Sequence, residues 1–340
     1  FSIKEPGMPR LQAIREWVAT QFPGQTFELA PASADASFRR YFRVTLADGT
    51  TRIVMDAPPE HEDCRPYLKI ARLFAEAGVH VPTIYAEDLA QGFLLLSDLG
   101  NTTYLAALNA HPEGAAALYR EANLALVQIQ QASRPGILPE YDRALLEREL
   151  QLFPDWYIAR HLGVTLNDKQ QQTLAAVFEK ILASNLAEPK VFVHRDYHSR
   201  NLMLSAPNPG ILDFQDAVYG PISYDLVSLY RDAYISWEED QEMDWVIRYW
   251  EAARAVKLPV HADFYDFWRD YEWMGAQRQL KVLGIFARLN YRDGKAQYLD
   301  DMPRVMAYLR RTCERYIELK PLLLLLDELE NRQEQVGYTF

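Results

Sequence analysis

The hydrophobic pattern changes character once, near residue 100, and that change limits what this chain can fold into. Before it, short apolar runs, alternating or continuous, are broken by turn residues, the grammar of strands. After it, apolar residues recur every three or four positions over long stretches, the grammar of helices. Strand-like runs return only in an island at residues 191–214. A chain of 340 residues is long enough for two lobes. The expectation is an α+β protein: residues 1–99 form a small antiparallel β lobe with one main helix, and residues 100–340 form a larger, mostly helical lobe.

Within the first lobe, Leu11, Ile14, Trp17 and Val18 place a helix over residues 9–21. Residues 27–29 and 42–46 read as strands. The turn Ala47-Asp48-Gly49 folds 42–46 back on 52–55, and Pro58-Pro59 ends the hairpin. Tyr67, Ile70, Leu73 and Phe74 share one face of a helix over 62–77, with Gly78 as its stop. Residues 84–87 and 93–97 read as a second antiparallel pair. Beyond residue 100, helices are expected over 113–132, 143–162 and 168–185.

Bulk properties exclude several classes. A net charge of −11 argues against a general nucleic-acid binder, which needs a basic face for phosphates. Cys64 and Cys313 are too far apart for a zinc motif or a disulfide framework, so a reducing cytoplasm is expected. The aliphatic run 322–326 is far too short to span a bilayer, and the opening residues lack the apolar segment of a signal peptide. Met8 is the candidate for the native first residue. A monomer without membrane or nucleic-acid partners is expected.

The island carries the chemistry. Residues 191–193 read as a buried strand ending at His194, with Asp196 at its exit, where a side chain can reach a cleft. Asn201 opens the next strand. Pro209-Gly210 is a turn, and Ile211-Leu212 leads to Asp213. Strand pairing is expected to bring Asn201 and Asp213 together. Their oxygens suit a hard cation such as Mg2+, which takes a few protein oxygens and completes itself with phosphate oxygens. Asp196 beside them can accept a proton from a hydroxyl nucleophile. The alternation of His194, Asp196 and His198 also admits a metal site, but no second histidine cluster follows to complete it. His194 is better read as a loop support bonded to backbone, and His198 as a loop residue.

The run His194-Arg195-Asp196-Tyr197-His198-Ser199-Arg200-Asn201 fits H-x-D-x-x-x-x-N, and Ile211-Leu212-Asp213-Phe214 fits the metal-binding aspartate that follows it. In this pattern and in its order of lobes the chain resembles the aminoglycoside phosphotransferase/choline kinase family, relatives of protein kinases. The resemblance covers nearly the whole chain. It implies a bilobal protein-kinase-like fold using ATP and Mg2+, with Asp196 as catalytic base and Asn201 and Asp213 as metal ligands. It makes Asp225 the brace of the catalytic loop, and Ser97-Asp98-Leu99 the hinge whose backbone meets adenine.

Two departures stand out. The loop expected over the phosphates, residues 34–41, has no glycine, so Ser37 and the arginines Arg39 and Arg40 are the candidates to contact phosphate by side chain. The strand 52–56 has no lysine, and Met55 stands near the family lysine's place. Arg40 is the candidate substitute. The gap also opens a second reading, a nucleotide-binding pseudokinase acting as a regulatory partner.

For the acceptor, Arg278, Lys281, Arg288 and Arg292 fall within about 80° of arc on an otherwise largely apolar helix. Such a stripe suits an anionic or polyhydroxyl ligand; ion pairs with neighbouring acids are the other reading. Segments 35–43, 92–100, 149–157 and 280–289 resemble one branch of the family, bacterial anomeric kinases of N-acetylmuramate and N-acetylglucosamine in cell-wall recycling. That resemblance implies a small amino-sugar substrate. A lactyl carboxylate would pair with Arg278, Lys281 and Arg288, and Trp156 would stack on a sugar face. An aminoglycoside, choline or another small alcohol is the alternative acceptor.

Overall fold

The structure, a computed structural model, describes residues 8–34 and 38–337. In chain order its elements are α1 (Met8–Gln21), β1 (Phe27–Ala34), β2 (Arg40–Leu46), β3 (Thr51–Asp56), α2 (Arg65–Glu76), β4 (Ile84–Asp88) and β5 (Phe93–Ser97). Then come α3 (Tyr104–Ala110), α4 (Ala115–Gln131), α5 (Arg143–Leu150), α6 (Asp168–Ala187), β6 (Lys190–Val193), β7 (Leu202–Met203), β8 (Gly210–Ile211) and β9 (Val218–Pro221). Helices α7 (Tyr224–Tyr230), α8 (Glu239–Ala255), α9 (Phe264–Tyr291), α10 (Met302–Arg315) and α11 (Lys320–Gly337) complete it. No helix among the described residues is long and apolar enough to cross a membrane. Cys64 and Cys313 are free and buried.

The chain divides into two compact units. One runs to Thr102 and takes in Met203–Asp216; the other comprises Thr103–Leu202 and the chain from Ala217 onward. The division near residue 100 coincides with the change of pattern. The segment Met203–Asp216, expected among the helices, belongs instead with the sheet. The surroundings of Gly210, Ile211 and Phe214 account for this. Ile211 N donates to His80 O at 2.8 Å. The Phe214 ring lies 4.8 Å from that of Tyr67 and 5.9 Å from that of Phe74. A side chain at Gly210 would crowd Leu99 at 3.0 Å.

In the first unit, five antiparallel strands run in the order β1-β2-β3-β5-β4. Strand β2 alternates as its sequence requires, burying Phe42, Val44 and Leu46. These join Val54, Phe93 and Leu95 under Ile14, Trp17 and Val18 of α1. Strand β5 is interior and buries four successive residues, Phe93–Leu96, so both its faces are covered. Strands β1 and β2 stay paired out to Ala34 and Arg40, beyond the strand ends read from sequence.

In the second unit, β6 pairs with β9, a strand the sequence pattern does not announce because Gly220 and Pro221 sit in it. The helix expected over 143–162 is two pieces: α5 stops at Leu150, and Phe153–His161 winds as a π-helix. Pro154 is the cause, since it brings no N–H to the α-helical ladder. Helix α9 is buried almost continuously from Phe267 to Ala287. Gly284 lets it touch backbone: a Cβ there would lie 2.4 Å from the carbonyl of Leu152. Arg231, fully buried after α7, ties Glu242 of α8 (2.8 Å), Glu272 of α9 (3.0 Å) and Thr312 of α10 (3.0 Å) to one guanidinium.

Glu188, just past α6, fixes the start of α7 by accepting from Ser223 N (3.0 Å) and Ser223 Oγ (2.9 Å). Burial pushes its carboxyl up to about 8, against the pull of those two bonds. The folded value lies above the unfolded one. Its contribution is therefore complete below the unfolded value and is lost as pH rises towards about 8, by up to about 1.4 kcal/mol per unit. Glu188→Gln keeps an acceptor for Ser223 N and offers Ser223 Oγ a donor. We expect it to stabilise the protein by on the order of a few kcal/mol at pH 8 and hardly at all at pH 5. Urea unfolding at the two pH values checks this; an equal effect at both would refute it.

Candidate active site

Strand β6 delivers His194 into the core, fully buried. Its Nδ1 accepts from Asp196 N at 3.1 Å, the backbone role expected of it. Asp225, in the first turn of α7, accepts from His194 N (2.7 Å) and Arg195 N (3.0 Å). Arg195 needs this support, because its φ of 85° lies in the left-handed region that disfavours any side chain. Burial raises the Asp225 carboxyl, and the His194 and Arg195 N–H groups oppose that rise. The Asn201 amide closes the loop, with Nδ2 donating to Asp196 O at 2.9 Å. Ser199 N donates to Asp232 at 2.9 Å.

Around Asp196 stands a buried charge network. Arg278 of α9 donates to Arg195 O (2.8 Å) and Tyr224 Oη (3.1 Å), and its Nη2 is 3.6 Å from Asp196 Oδ1. One turn on, Lys281 donates to the same Tyr224 Oη (2.9 Å) and pairs with Glu149 of α5 (2.7 Å). Glu149 also accepts from Arg195 Nη2 (2.8 Å) and from the Tyr141 hydroxyl. The Asp196 side chain keeps 40% of its surface exposed. Burial alone would raise its pKa; the cations of Arg278 and Lys281 outweigh that and hold it well below the usual carboxylate range. Burial brings His198 down to about 4, so it is neutral near pH 7. Among the described residues no three His, Cys, Asp or Glu side chains are grouped as a metal ion would need them.

The stripe on α9 therefore divides. Arg278 and Lys281, 8% and 6% exposed, turn their donors inward, Arg278 onto Arg195 O and Asp196 and Lys281 onto Tyr224 and Glu149. Arg288 is half-buried, its Nε buried without a hydrogen-bond partner among the described residues, and Arg292 pairs with Asp293 on the surface. Trp156 is half-buried with Arg160 over its ring at 5.3 Å.

The remaining candidates lie in the first unit. Asp213 has φ 55°, a left-handed position that aspartate tolerates better than most residues. Its Oδ1 is 3.3 Å from Arg39 Nη2 and accepts from Gln215 Nε2 at 2.5 Å. Arg40 points elsewhere, closing with Arg10 on the buried carboxylate of Asp56 (2.7 Å). Arg39, just before β2, and Arg40, its first residue, thus take different partners. Met55 is 1% exposed, between its register partners Tyr41 and Leu94. The Ser97 Oγ accepts from Thr83 N (2.8 Å), Asp98 pairs with Arg43 (2.7 Å), and Leu99 packs inside. Ser37 lies outside the described residues.

Sequence reasoning missed Glu149, Arg195 and Tyr224, and it did not separate Arg39 from Arg40. Glu149 and Arg195 lie in the runs quoted above, but nothing along a single chain pairs position 149 with position 281. For Asn201 and Asp213 the donor set is an amide and a carboxylate oxygen, both hard, and few in number. Each is an oxygen of the kind magnesium takes.

Comparison with known proteins places these residues in context. A family profile described as "Phosphotransferase enzyme family" matches residues 28–274. The N-acetylmuramate/N-acetylglucosamine kinase of Neisseria meningitidis is 52% identical over 98% of this chain and 100% of its own. The enzyme of that name from Pseudomonas aeruginosa is 53% identical over 90% of each chain. Among solved structures, a choline/ethanolamine kinase family protein from Mesorhizobium loti superposes with a TM-score of 0.63 at 15% identity, over 93% of this chain and 98% of its own. An ADP-bound aminoglycoside phosphotransferase does so with 0.58 at 12%, over 87% and 97%. At such identities the structural likeness speaks for the fold alone.

Proposed function

This chain belongs to the phosphotransferase enzyme family, and from that premise we propose that it is an ATP-dependent kinase of N-acetylmuramate and N-acetylglucosamine, acting on the anomeric hydroxyl. The observation that carries this reading is identity of 52–53% with kinases named for those sugars, over nine-tenths or more of the chain. The Asp196 network supports a phosphoryl-transfer loop that is fully assembled.

In this reading the acceptor hydroxyl donates to Asp196, which aims the oxygen at the γ-phosphorus of ATP. As the new oxygen–phosphorus bond forms, the bond to the ADP oxygen breaks and the hydroxyl proton passes to the Asp196 carboxylate. Arg278 and Lys281 keep that carboxylate ionised, and Asp225 fixes the backbone that carries it. Asn201 and Asp213 would hold Mg2+, which when bound neutralises charge on the phosphate oxygens. Arg39, beside Asp213, is the better candidate than Arg40 for the charge that the family lysine supplies, because Arg40 is engaged by Asp56.

The test is ADP release in a coupled assay with a panel of amino sugars, followed by NMR of the product. We expect turnover with both named sugars and phosphate on the anomeric oxygen. Turnover of aminoglycosides or choline but not of these sugars would redirect the acceptor assignment. Thermal stabilisation by Mg-ATP with no turnover of any acceptor would favour a pseudokinase.

A further inference from the structure

Arg200 stands within the catalytic loop, one residue before Asn201, and it differs from the other cations around that loop. Arg195 is paired with Glu149, and Arg278 is committed to Asp196 and the backbone. Arg200 is exposed and has no carboxylate partner among the described residues. Its guanidinium lies over the ring of Tyr234 at 4.7 Å and that of Tyr298 at 5.9 Å. Phe286 of α9 packs against both tyrosines, at 6.1 and 5.2 Å, and holds the platform in place. Tyr234 also meets the His198 ring at 5.5 Å, and His198 Nε2 lies 3.4 Å from Asn201 Nδ2. A continuous chain of contacts thus runs from the reacting loop to this cation. The loop is also tightly wound: His198 N donates to Asp196 O, and Asn201 N to His198 O, each at 2.9 Å. Asp196 and Arg200 are therefore much closer than the ~14 Å of an extended four-residue span.

A guanidinium laid on these rings keeps its charge, with the hydroxyls of Tyr234 and Tyr298 also near its N–H groups, and its five donors suffice to grip a carboxylate with two parallel bonds besides. The setting matters because the chain as a whole carries −11 and repels anions. Resting on the acceptor assignment made above, the inference concerns how two acceptors are told apart. N-acetylmuramate and N-acetylglucosamine share the anomeric hydroxyl and the acetamido group, and differ by one carboxylate-bearing lactyl substituent. We propose that Arg200, on its Tyr234–Tyr298 platform, is the subsite for that carboxylate and sets the preference for the acidic sugar over the neutral one.

The experiment compares kcat/KM for the two sugars in the full chain and in Arg200→Met, which keeps apolar contact with the rings, and Arg200→Lys. For Arg200→Met we expect the N-acetylmuramate value to fall roughly 10- to 100-fold, mainly through KM, as loss of a charge-assisted contact requires. The N-acetylglucosamine value should change by no more than a few-fold, which also reports that the variant folds. Arg200→Lys should recover part of the loss. An equal fall for both sugars would assign Arg200 to the phosphoryl group or to the loop, and overturn the proposal. So would no fall for either, or a selective fall in Arg288→Met instead. If the unaltered protein turns over other alcohols and neither sugar, the acceptor assignment itself has failed, an outcome visible before any variant is made.

Discussion

Asp196→Asn is expected to lower kcat by about 10^3-fold, within the range that positioned proton acceptors contribute, while ATP affinity changes little. The substitution is nearly isosteric, and the backbone of residue 196 stays held by His194 Nδ1 and Asn201 Nδ2. What disappears is the negative charge 3.6 Å from Arg278. Two consequences separate this from general damage. The unaltered enzyme should show no acid limb from Asp196 above about pH 4, because burial is outweighed by Arg278 and Lys281 and the carboxylate stays ionised. Such a carboxylate is a weak base, so its main task is to orient the hydroxyl. An anomeric hydroxyl, more acidic than an ordinary alcohol, suits that division of labour. Single-turnover kinetics across pH 4–9 would check both points. An unchanged kcat in Asp196→Asn would remove Asp196 from the chemistry.

Much of this loop is legible in the chain itself because its parts are close in sequence. His194, Asp196 and Asn201 lie within eight positions, and the turn between them is closed by their own side chains. Strands β2, β3 and β5 are legible because alternation and turn residues act locally. What is not legible is partnership across the chain. A charged stripe on α9 looks the same whether solvent or protein faces it. Only the fold reveals that Arg278 and Lys281 face Asp196 and Glu149 while Arg292 meets solvent. Likewise, Arg39 and Arg40 are equivalent as letters, and only the fold sends one to Asp213 and the other to Asp56. Strand β9 and the join of residues 203–216 to the sheet are set by pairing with distant segments, which no local pattern encodes.

Glu149→Gln should destabilise the protein by about 3 kcal/mol at pH 7, because it strands buried cations rather than merely deleting a contact. Glu149 is 9% exposed at its side chain and Lys281 8%, with 2.7 Å between them, and Arg195 Nη2 sits 2.8 Å from the same carboxylate oxygen. Burial favours the protonated acid, but Lys281 and Arg195 reverse this and lower its pKa. The sign follows: the stabilisation is complete above the unfolded carboxyl value and is lost as pH falls through the lowered folded value. The gap between the parent and Glu149→Gln should therefore be widest near neutrality and narrow below about pH 4. Combining Glu149→Gln with Lys281→Met should cost less than the sum of the single changes by about 1–3 kcal/mol, since each removes the reason for the other. Activity should fall as well. Arg195 carries the strained backbone that precedes Asp196, and Tyr224 links Lys281 to Arg278, so a displaced network displaces the reacting carboxylate. Misplacement by about 1 Å accounts for a loss of up to roughly 100-fold in kcat. Urea unfolding of the four proteins at pH 7 and pH 3.5, with kcat measured on each, decides the matter. Additive destabilisation with normal kcat would mean that Glu149 and Lys281 neither couple nor position Asp196.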